Sequence, residues 1–540
     1  EISGMRYIRS ICIGLIVLGI FFRIANIGEK IYTVDEVRGI LRASGYTSQE
    51  FVAEVSTGDS ITAASLQQYQ LPTDQRRLSD TVNALKGNPE HPPLYYLLAR
   101  FCMQLFTSST AARGLAALVG ILTLLSMYWL CLELFQSADI AWIGAGLMAI
   151  SPFHVLLASE ARQYTLWGLL ATGSSAFLLR ALRSNRPGPW IGYGIAVTLG
   201  LYTHLFFVWV ILSQGLYVLI LEKLKLTQRV WRYLATLLLC GLAFAPWLAV
   251  ILGNLDRLEK TTRWASQYNT GLFDRLAFWL TNIAMGFVDF NGAASLKNPV
   301  IYLVLGLVLS SIYLLCKHTP RQVWLFVLLL MGVTGLGQIV PDLMLGGRRS
   351  LLARYSLTSY IGLEMAVAFG IHHGWQRILQ RDFSPYQQRF SKSGIVGKNL
   401  YAVHRCGTVL IVILGIVSSG LISQSLDWGK GSSSLNLAIA PIVNAAPSPL
   451  VIGDEETFML SLSYKVKPSV EFKLMARNPV GTNISFESSG SLTAEPDTFL
   501  YFPSNQLLEK VGDTWQLEPL LVGSPWFGQR PILYQIGSKG

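Results

Sequence analysis

Charge is scarce in this sequence. Of its 540 residues only 14% are Asp, Glu, Lys or Arg, whereas an ordinary soluble chain carries about 25%. With 51% hydrophobic residues, that deficit excludes a plain soluble domain. The apolar residues gather in stretches near 20 residues, enough to cross about 30 Å of hydrocarbon as helix. Cysteine is scarce too. The six (Cys12, Cys102, Cys131, Cys240, Cys316 and Cys406) sit far apart in or beside apolar stretches. With no CxxC pair and no Cys/His cluster, a zinc ribbon and a disulfide framework are both excluded. Internal repeats are missing, which counts against the paired halves of many transporters. A net charge of +11 would suit nucleic acid, but in a membrane protein the location of the basic residues carries the information, and no nucleic-acid partner is expected. The first apolar run lacks an A-x-A-like cleavage site and reads as a retained span.

Eleven spans are expected, near 8–27, 115–134, 140–157, 164–181, 190–203, 206–222, 233–252, 299–316, 323–340, 355–372 and 407–424. "PPLYYLLARFCMQLF" (92–106) is too short to span and reads as an interfacial or re-entrant helix. With the N-terminus inside, every short basic connection falls on one face. These are Arg6 and Arg9, then Arg183 and Arg186, then Lys223 to Arg232, then Lys317 and Arg321, and finally the 373–406 loop, where Asp382 is the one acid. The positive-inside rule expects that distribution.

The opposite face then holds the long 28–114 loop, the 253–298 loop and the chain from about 427 onward. The predicted organisation is a helical membrane domain over 5–426 and a small external α/β domain over 427–540. "PLVIGD", "VEFKLM", "TFLYFP", "WQLEPL" and "PILYQI" read as its strands. "EETFMLSLSYKV" and "NQLLEKVG" read as its helices.

The polar residues of the outer face collect where spans emerge. "GEKIYTVDEVRGI" (28–40) brings Asp35 and Glu36 just beyond the first span, and "EHPPLYYLL" brings Glu90, His91 and Tyr95. "SPFHVLLASEARQYTLWGLL" places His154 within a span and Glu160, Arg162 and Tyr164 at its mouth. "YTHLF" offers His204, and "GGRRSLLARY" brings Arg348, Arg349 and Arg354 to the start of the tenth span, which also contains Glu364. Singly each has a bland reading: paired acids as solvated surface, arginines as snorkelling side chains, Glu364 as a structural group facing protein. Together on one face they suit group transfer from an anionic lipid. Arginines bind phosphate through charge-assisted forks, and a carboxylate near an acceptor hydroxyl serves as general base.

The sequence resembles the family-39 glycosyltransferases of the GT-C superfamily, which include protein O-mannosyltransferases and lipid A aminoarabinose transferases. The resemblance rests on Asp35-Glu36, "HPPLYYLL" (91–98), "SPFHVLLASEARQYTLWGLL" (151–170), "LYTHLFF" (201–207) and "RYSL" (354–357), and covers roughly residues 5 to 375. It implies a GT-C-like fold, a polyprenyl-phosphate-linked sugar donor and transfer on the extracytoplasmic face. It also implies catalytic Asp35 and Glu36, with Asp35 as the base. Arg354, Arg162 and His91 would contact the donor phosphate, and Glu160, Tyr164, His204 and Tyr95 would line the pocket. The implied setting is a bacterial inner membrane with a cytoplasmic N-terminus and a periplasmic C-terminal domain. The acceptor is a lipid, glycan or protein. Some relatives carry lysine where His91 stands, so phosphate contacts here lean on arginine.

No cofactor is required by this scheme. A divalent ion on Asp35 and Glu36 with His91 or His204 is the minor alternative, and no metal site is expected. The competing function is a transporter or flippase of an anionic or lipid-linked substrate.

Overall fold

In the computed structural model residues 2–184, 186–266, 270–291, 296–381, 395–475, 497–523 and 530–538 are described. Among them seven helices are long and apolar enough to cross a membrane. They are Tyr7–Ile24, Thr110–Phe135, Tyr164–Arg183, Gln228–Leu252, Pro299–His318, Arg321–Leu345 and Cys406–Gln424. Ala138–Ala149 and Pro152–Ala158 form an eighth candidate, bent by 61° at its break. The chain is a multi-pass membrane protein.

The expectation of eleven spans is thereby reduced, for reasons of length and polarity. Pro187–Leu201 and Phe207–Leu221 have 15 residues each, about 22 Å of helix against about 30 Å of hydrocarbon. Leu357–Arg381 is long, but it carries Glu364, two histidines and a basic end. The 92–106 segment is a 13-residue helix, Leu94–Phe106, as its length required. The expected 253–298 loop contains two helices, Leu255–Ser266 and Leu272–Met285. The expected 373–406 connection is shortened from both sides by Leu357–Arg381 and Ile395–Gln424. Asp382, Arg389 and Lys392 lie outside the described residues.

Two compact units make up the chain. One comprises Glu1–Ile27, Asn88–Tyr95 and Gly114–Gln424, and the other Gly28–Gly87, Tyr96–Arg113 and Ser425–Gly540. This division differs from the boundary expected at 426/427, because most of the external loop clusters with the C-terminal segment.

In the first unit some helices begin where the sequence supplies a cap. The Asn298 side chain accepts the Val300 N–H at 3.0 Å, with Pro299 in the first turn, where its missing N–H costs nothing. Close approach depends on small residues. A Cβ on Gly19 would stand 2.3 Å from the Ala149 carbonyl oxygen, so only glycine lets the first helix, Ile2–Ile24, meet the bent span backbone to backbone.

The second unit is built on a six-stranded sheet in the order β1-β3-β2-β4-β6-β5. The strands are β1 (Ile61–Thr62), β2 (Leu450–Gly453), β3 (Glu471–Leu474), β4 (Thr498–Tyr501), β5 (Trp515–Val522) and β6 (Pro531–Ser538). β2 runs parallel to β3 and β4, and the remaining pairs are antiparallel. The short runs "LVIG" and "TFLY" are apolar almost throughout because the central strands are buried on both faces. Their core includes Ile452, Leu500, Leu507, Val511 and Ile536, with helix Asn505–Thr514 covering one side. The strands and helices expected after 427 all form; β1, from the external loop, is the addition.

Candidate functional site

In the second unit the helix Val34–Ala43 opens with a capping box. The Thr33 hydroxyl accepts the Glu36 N–H at 3.1 Å, and the Glu36 carboxylate accepts the Thr33 N–H at 3.0 Å. Asp35 therefore lies in the first turn of a well-anchored helix, half-buried. Glu36 is buried and engaged at both oxygens. Arg113 donates to them from Nε at 2.7 Å and from its second terminal nitrogen at 3.0 Å, and the Lys430 ammonium stands 3.6 Å away. Arg113 in turn donates to the carbonyls of Lys30 and Ile31, both at 2.8 Å, and its guanidinium lies 3.6 Å from the centre of the Tyr32 ring.

Burial alone would push the Glu36 carboxyl up. The charges of Arg113 and Lys430 and the hydrogen bonds from Arg113 and Thr33 outweigh it and hold the group down at about 2. One turn beyond Asp35, Arg38 reaches Glu455 at 3.7 Å and the Thr457 hydroxyl at 3.4 Å, tying this helix to Glu456–Ser463.

In the first unit Arg162, Tyr164, His204 and Arg354 come together. The guanidinium carbons of Arg162 and Arg354 lie 5.8 and 5.9 Å from the centre of the Tyr164 ring. His204 stacks on Trp167 with centroids 4.5 Å apart and planes at 17°, and its ring is 5.9 Å from Tyr164 and 6.1 Å from Tyr355. Its Nδ1 accepts the Phe206 N–H at 3.1 Å, so the neutral ring carries its proton on Nε2. Burial, with the positive charges of Arg162 and Arg354, pushes the imidazole down to about 3. His204 is thus a neutral donor in a strongly positive pocket. Because its lowered value lies far below neutrality, binding of an anionic ligand to this pocket should show no inflection between pH 5 and 8 that His204→Gln removes. A binding titration across that range checks this.

Glu160 and Arg162 are both buried and share a tight turn, with the Arg162 N–H donating to the Glu160 carbonyl at 2.7 Å. The "HPP" segment belongs to the same unit. The Leu94 N–H donates to the Tyr202 carbonyl at 3.0 Å, and Trp247 Nε1 donates to the Pro89 carbonyl at 3.3 Å. His91 Nε2 stands 4.0 Å from Glu90, and Tyr95 is buried. Asp35 and Glu36 lie in one unit, and the other expected site residues lie in the other. Among the described residues no three His, Cys, Asp or Glu side chains gather as metal ligands.

Sequence reasoning did not find the partners of Glu36. Arg113 stands at the start of a span and reads as a headgroup contact, while Lys430 is nearly four hundred residues away. The cap was legible, since "TVDE" (33–36) is a Thr-x-x-Glu box.

The family model for dolichyl-phosphate-mannose-protein mannosyltransferase matches residues 90–249. No curated protein matches the chain. Among solved structures, the chain is similar to ArnT from Cupriavidus metallidurans bound to undecaprenyl phosphate. The TM-score is 0.54 and the identity 13%, with 97% of each chain covered. It also matches the apo oligosaccharyltransferase of Archaeoglobus fulgidus at TM-score 0.46 and 10% identity, over 85% of this chain and 64% of that one.

Proposed function

We propose, from the match of residues 90–249 to the dolichyl-phosphate-mannose-protein mannosyltransferase family model, that the chain is an integral-membrane glycosyltransferase. It moves a sugar from a polyprenyl-phosphate donor to an acceptor hydroxyl on the extracytoplasmic face. The observation that carries this reading is the meeting of Arg162 and Arg354 around Tyr164 and the neutral His204. A buried and a half-buried cation beside a neutral donor suit a phosphate that gains negative charge as its bond to the sugar breaks, and the fold is shared with a protein seen bound to undecaprenyl phosphate. His91, at the head of the "HPP" segment, completes the phosphate contacts, and Glu160 and Tyr95 line the pocket.

The chemistry is a single displacement. The acceptor oxygen attacks the anomeric carbon, its proton passes to Asp35, and the bond from that carbon to the phosphate oxygen breaks. Polyprenyl phosphate leaves with the electron pair, and the anomeric configuration inverts. Glu36 is bound on both sides by cations and a cap, so its part is to hold the helix on which Asp35 stands. The scheme calls for no metal ion. Orientation follows the charge distribution, with the N-terminus in the cytoplasm and the sheet unit in the periplasm of a bacterial inner membrane.

The test is sugar transfer by purified protein in detergent, supplied with radiolabelled polyprenyl-phosphate sugars, with release of polyprenyl phosphate followed in parallel. Arg162→Ala and Arg354→Ala are each expected to weaken polyprenyl-phosphate binding by about 10- to 100-fold, the range for one charge-assisted contact. Wild-type affinity in both variants would refute the phosphate assignment. Movement of intact donor across a vesicle wall without sugar transfer would replace the enzyme with the transporter.

A further inference from the structure

The bent span has a physical problem at its break. Pro152 has no N–H to give the Met148 carbonyl four residues back, and the 61° bend removes the next helical donors as well. Inside a water-poor helical bundle such carbonyls cost several kcal/mol each if left bare, so broken spans persist only where something else satisfies them. Here side chains from other helices do so. Arg23, on the first helix and 1% exposed, donates to Met148 at 2.9 Å and to Ala149 at 2.6 Å. Its third bond, at 2.9 Å, goes to the carbonyl of Gly19 on its own helix. Ser419 donates to the Ile150 carbonyl at 2.8 Å.

The cation that performs this capping is itself buried, and the acid whose field it feels is Glu364, on Leu357–Arg381. Glu364, 1% exposed, stands 3.3 Å from Nε2 of His154, on the far half of the bent span. Among the described residues the two Glu364 oxygens, His154 Nε2 and Arg23 Nε make no hydrogen bond. A cavity of about 10 Å³, room for one water, lies against Arg23, Gly120, Thr123, His154, Tyr164 and Thr165. Tyr164 thus borders this cavity and also lies beside the two site arginines, 5.8 and 5.9 Å from their guanidinium carbons.

We infer that Arg23, His154 and Glu364 are positioning residues that lock the break in the bent span and so fix the placement of Arg162 and Tyr164. The half-span Pro152–Ala158 runs straight into the turn that holds Glu160 and Arg162. Any change in the bend is passed to those residues within one helical turn. The role in donor binding rests on the function proposed above, whereas the mechanical role of the cluster does not.

Two measurements on the full-length protein in detergent keep these apart. The first is hydrogen exchange over residues 150–164 in Arg23→Lys, which keeps the charge but loses the two-carbonyl fork. Gly19→Ala serves alongside it, because it pushes the first helix off Ala149 without touching any charge. Both should speed exchange in that segment at least about tenfold. The second is undecaprenyl-phosphate affinity in a cycle of Arg23→Lys, Arg162→Ala and the double variant. Arg23→Lys should weaken binding about tenfold, with turnover at saturating donor little changed, and should add almost nothing to Arg162→Ala.

Exchange unchanged in both variants overturns the inference whatever the ligand is. Fully additive losses in the cycle overturn the positioning of Arg162 in favour of general destabilisation. If exchange rises while Arg162→Ala binds as wild type, the lock stands and the phosphate assignment falls. Should Arg23→Lys not survive extraction, Glu364→Gln is the second variant. It leaves both carbonyl bonds in place and removes the counter-charge, and exchange and affinity should move in the same directions.

Discussion

Asp35→Asn is expected to lower sugar transfer by about 100- to 10,000-fold, the usual weight of a general base, while undecaprenyl-phosphate affinity stays within about twofold of wild type. The substitution preserves shape and removes the negative charge, and with it the capacity to take a proton. The cap of this helix is kept, because Thr33 and Glu36 supply both its hydrogen bonds and Asp35 supplies neither. A loss confined to turnover therefore reports chemistry. Retained turnover would remove Asp35 from the mechanism, and equal loss of turnover and affinity would make it a binding residue. Single-turnover transfer together with a separate binding titration distinguishes the three.

Glu36→Gln is expected to do the reverse. Breaking one side of a buried, bidentate ion pair leaves Arg113 and Lys430 facing each other without their acid, a loss of about 3–5 kcal/mol. The thermal midpoint in detergent should fall by several degrees, and activity should follow the folded fraction. Arg113→Met should behave alike. The double variant should cost less than the sum of the two, since the pair shares one interaction.

Acid provides an independent check with a definite sign. The Glu36 carboxyl is held at about 2 in the folded protein, below its ordinary 4.5. Its stabilisation is therefore complete above pH 4.5 and is lost as the pH falls toward 2. Glu36→Gln lacks it at every pH, so the gap between variant and wild type should close in acid. A gap that stays constant down to pH 3 would assign the loss to something other than this charge.

These two adjacent carboxylates show how far the sequence could be read. Both were expected in the site as a catalytic pair, because two acids outside a span look equivalent in one dimension. What separates them is the turn of the helix. Glu36 faces inward to Arg113 and Lys430, while Asp35, one residue before, is rotated about 100° away. The meeting of Arg162, Tyr164, His204 and Arg354 was more legible, because all four stand at the ends of expected spans. The sheet after 427 was legible from its short β-rich runs. β1 was not, since a two-residue strand has no periodicity and its partner β3 lies some four hundred residues on. Of the eleven expected spans, three fall on shorter or more polar helices, as Pro187–Leu201 does with its 15 residues. Nothing in the sequence singled out Arg23, and only the three-dimensional break at Pro152 gives it a task.

The way the sheet unit is assembled bears on synthesis. The helix bearing Asp35 is made some four hundred residues before much of what holds it. Leu426 accepts the Ile31 N–H at 2.9 Å, Ser461 donates to the Tyr32 carbonyl at 2.6 Å, Lys430 flanks Glu36, and β3 pairs with β1. A chain cut short before residue 425 would carry the described spanning helices without these contacts, its proposed base unsupported. Such a product could insert in the bilayer and still be silent, so unfinished enzyme would draw no sugar from the lipid-linked pool.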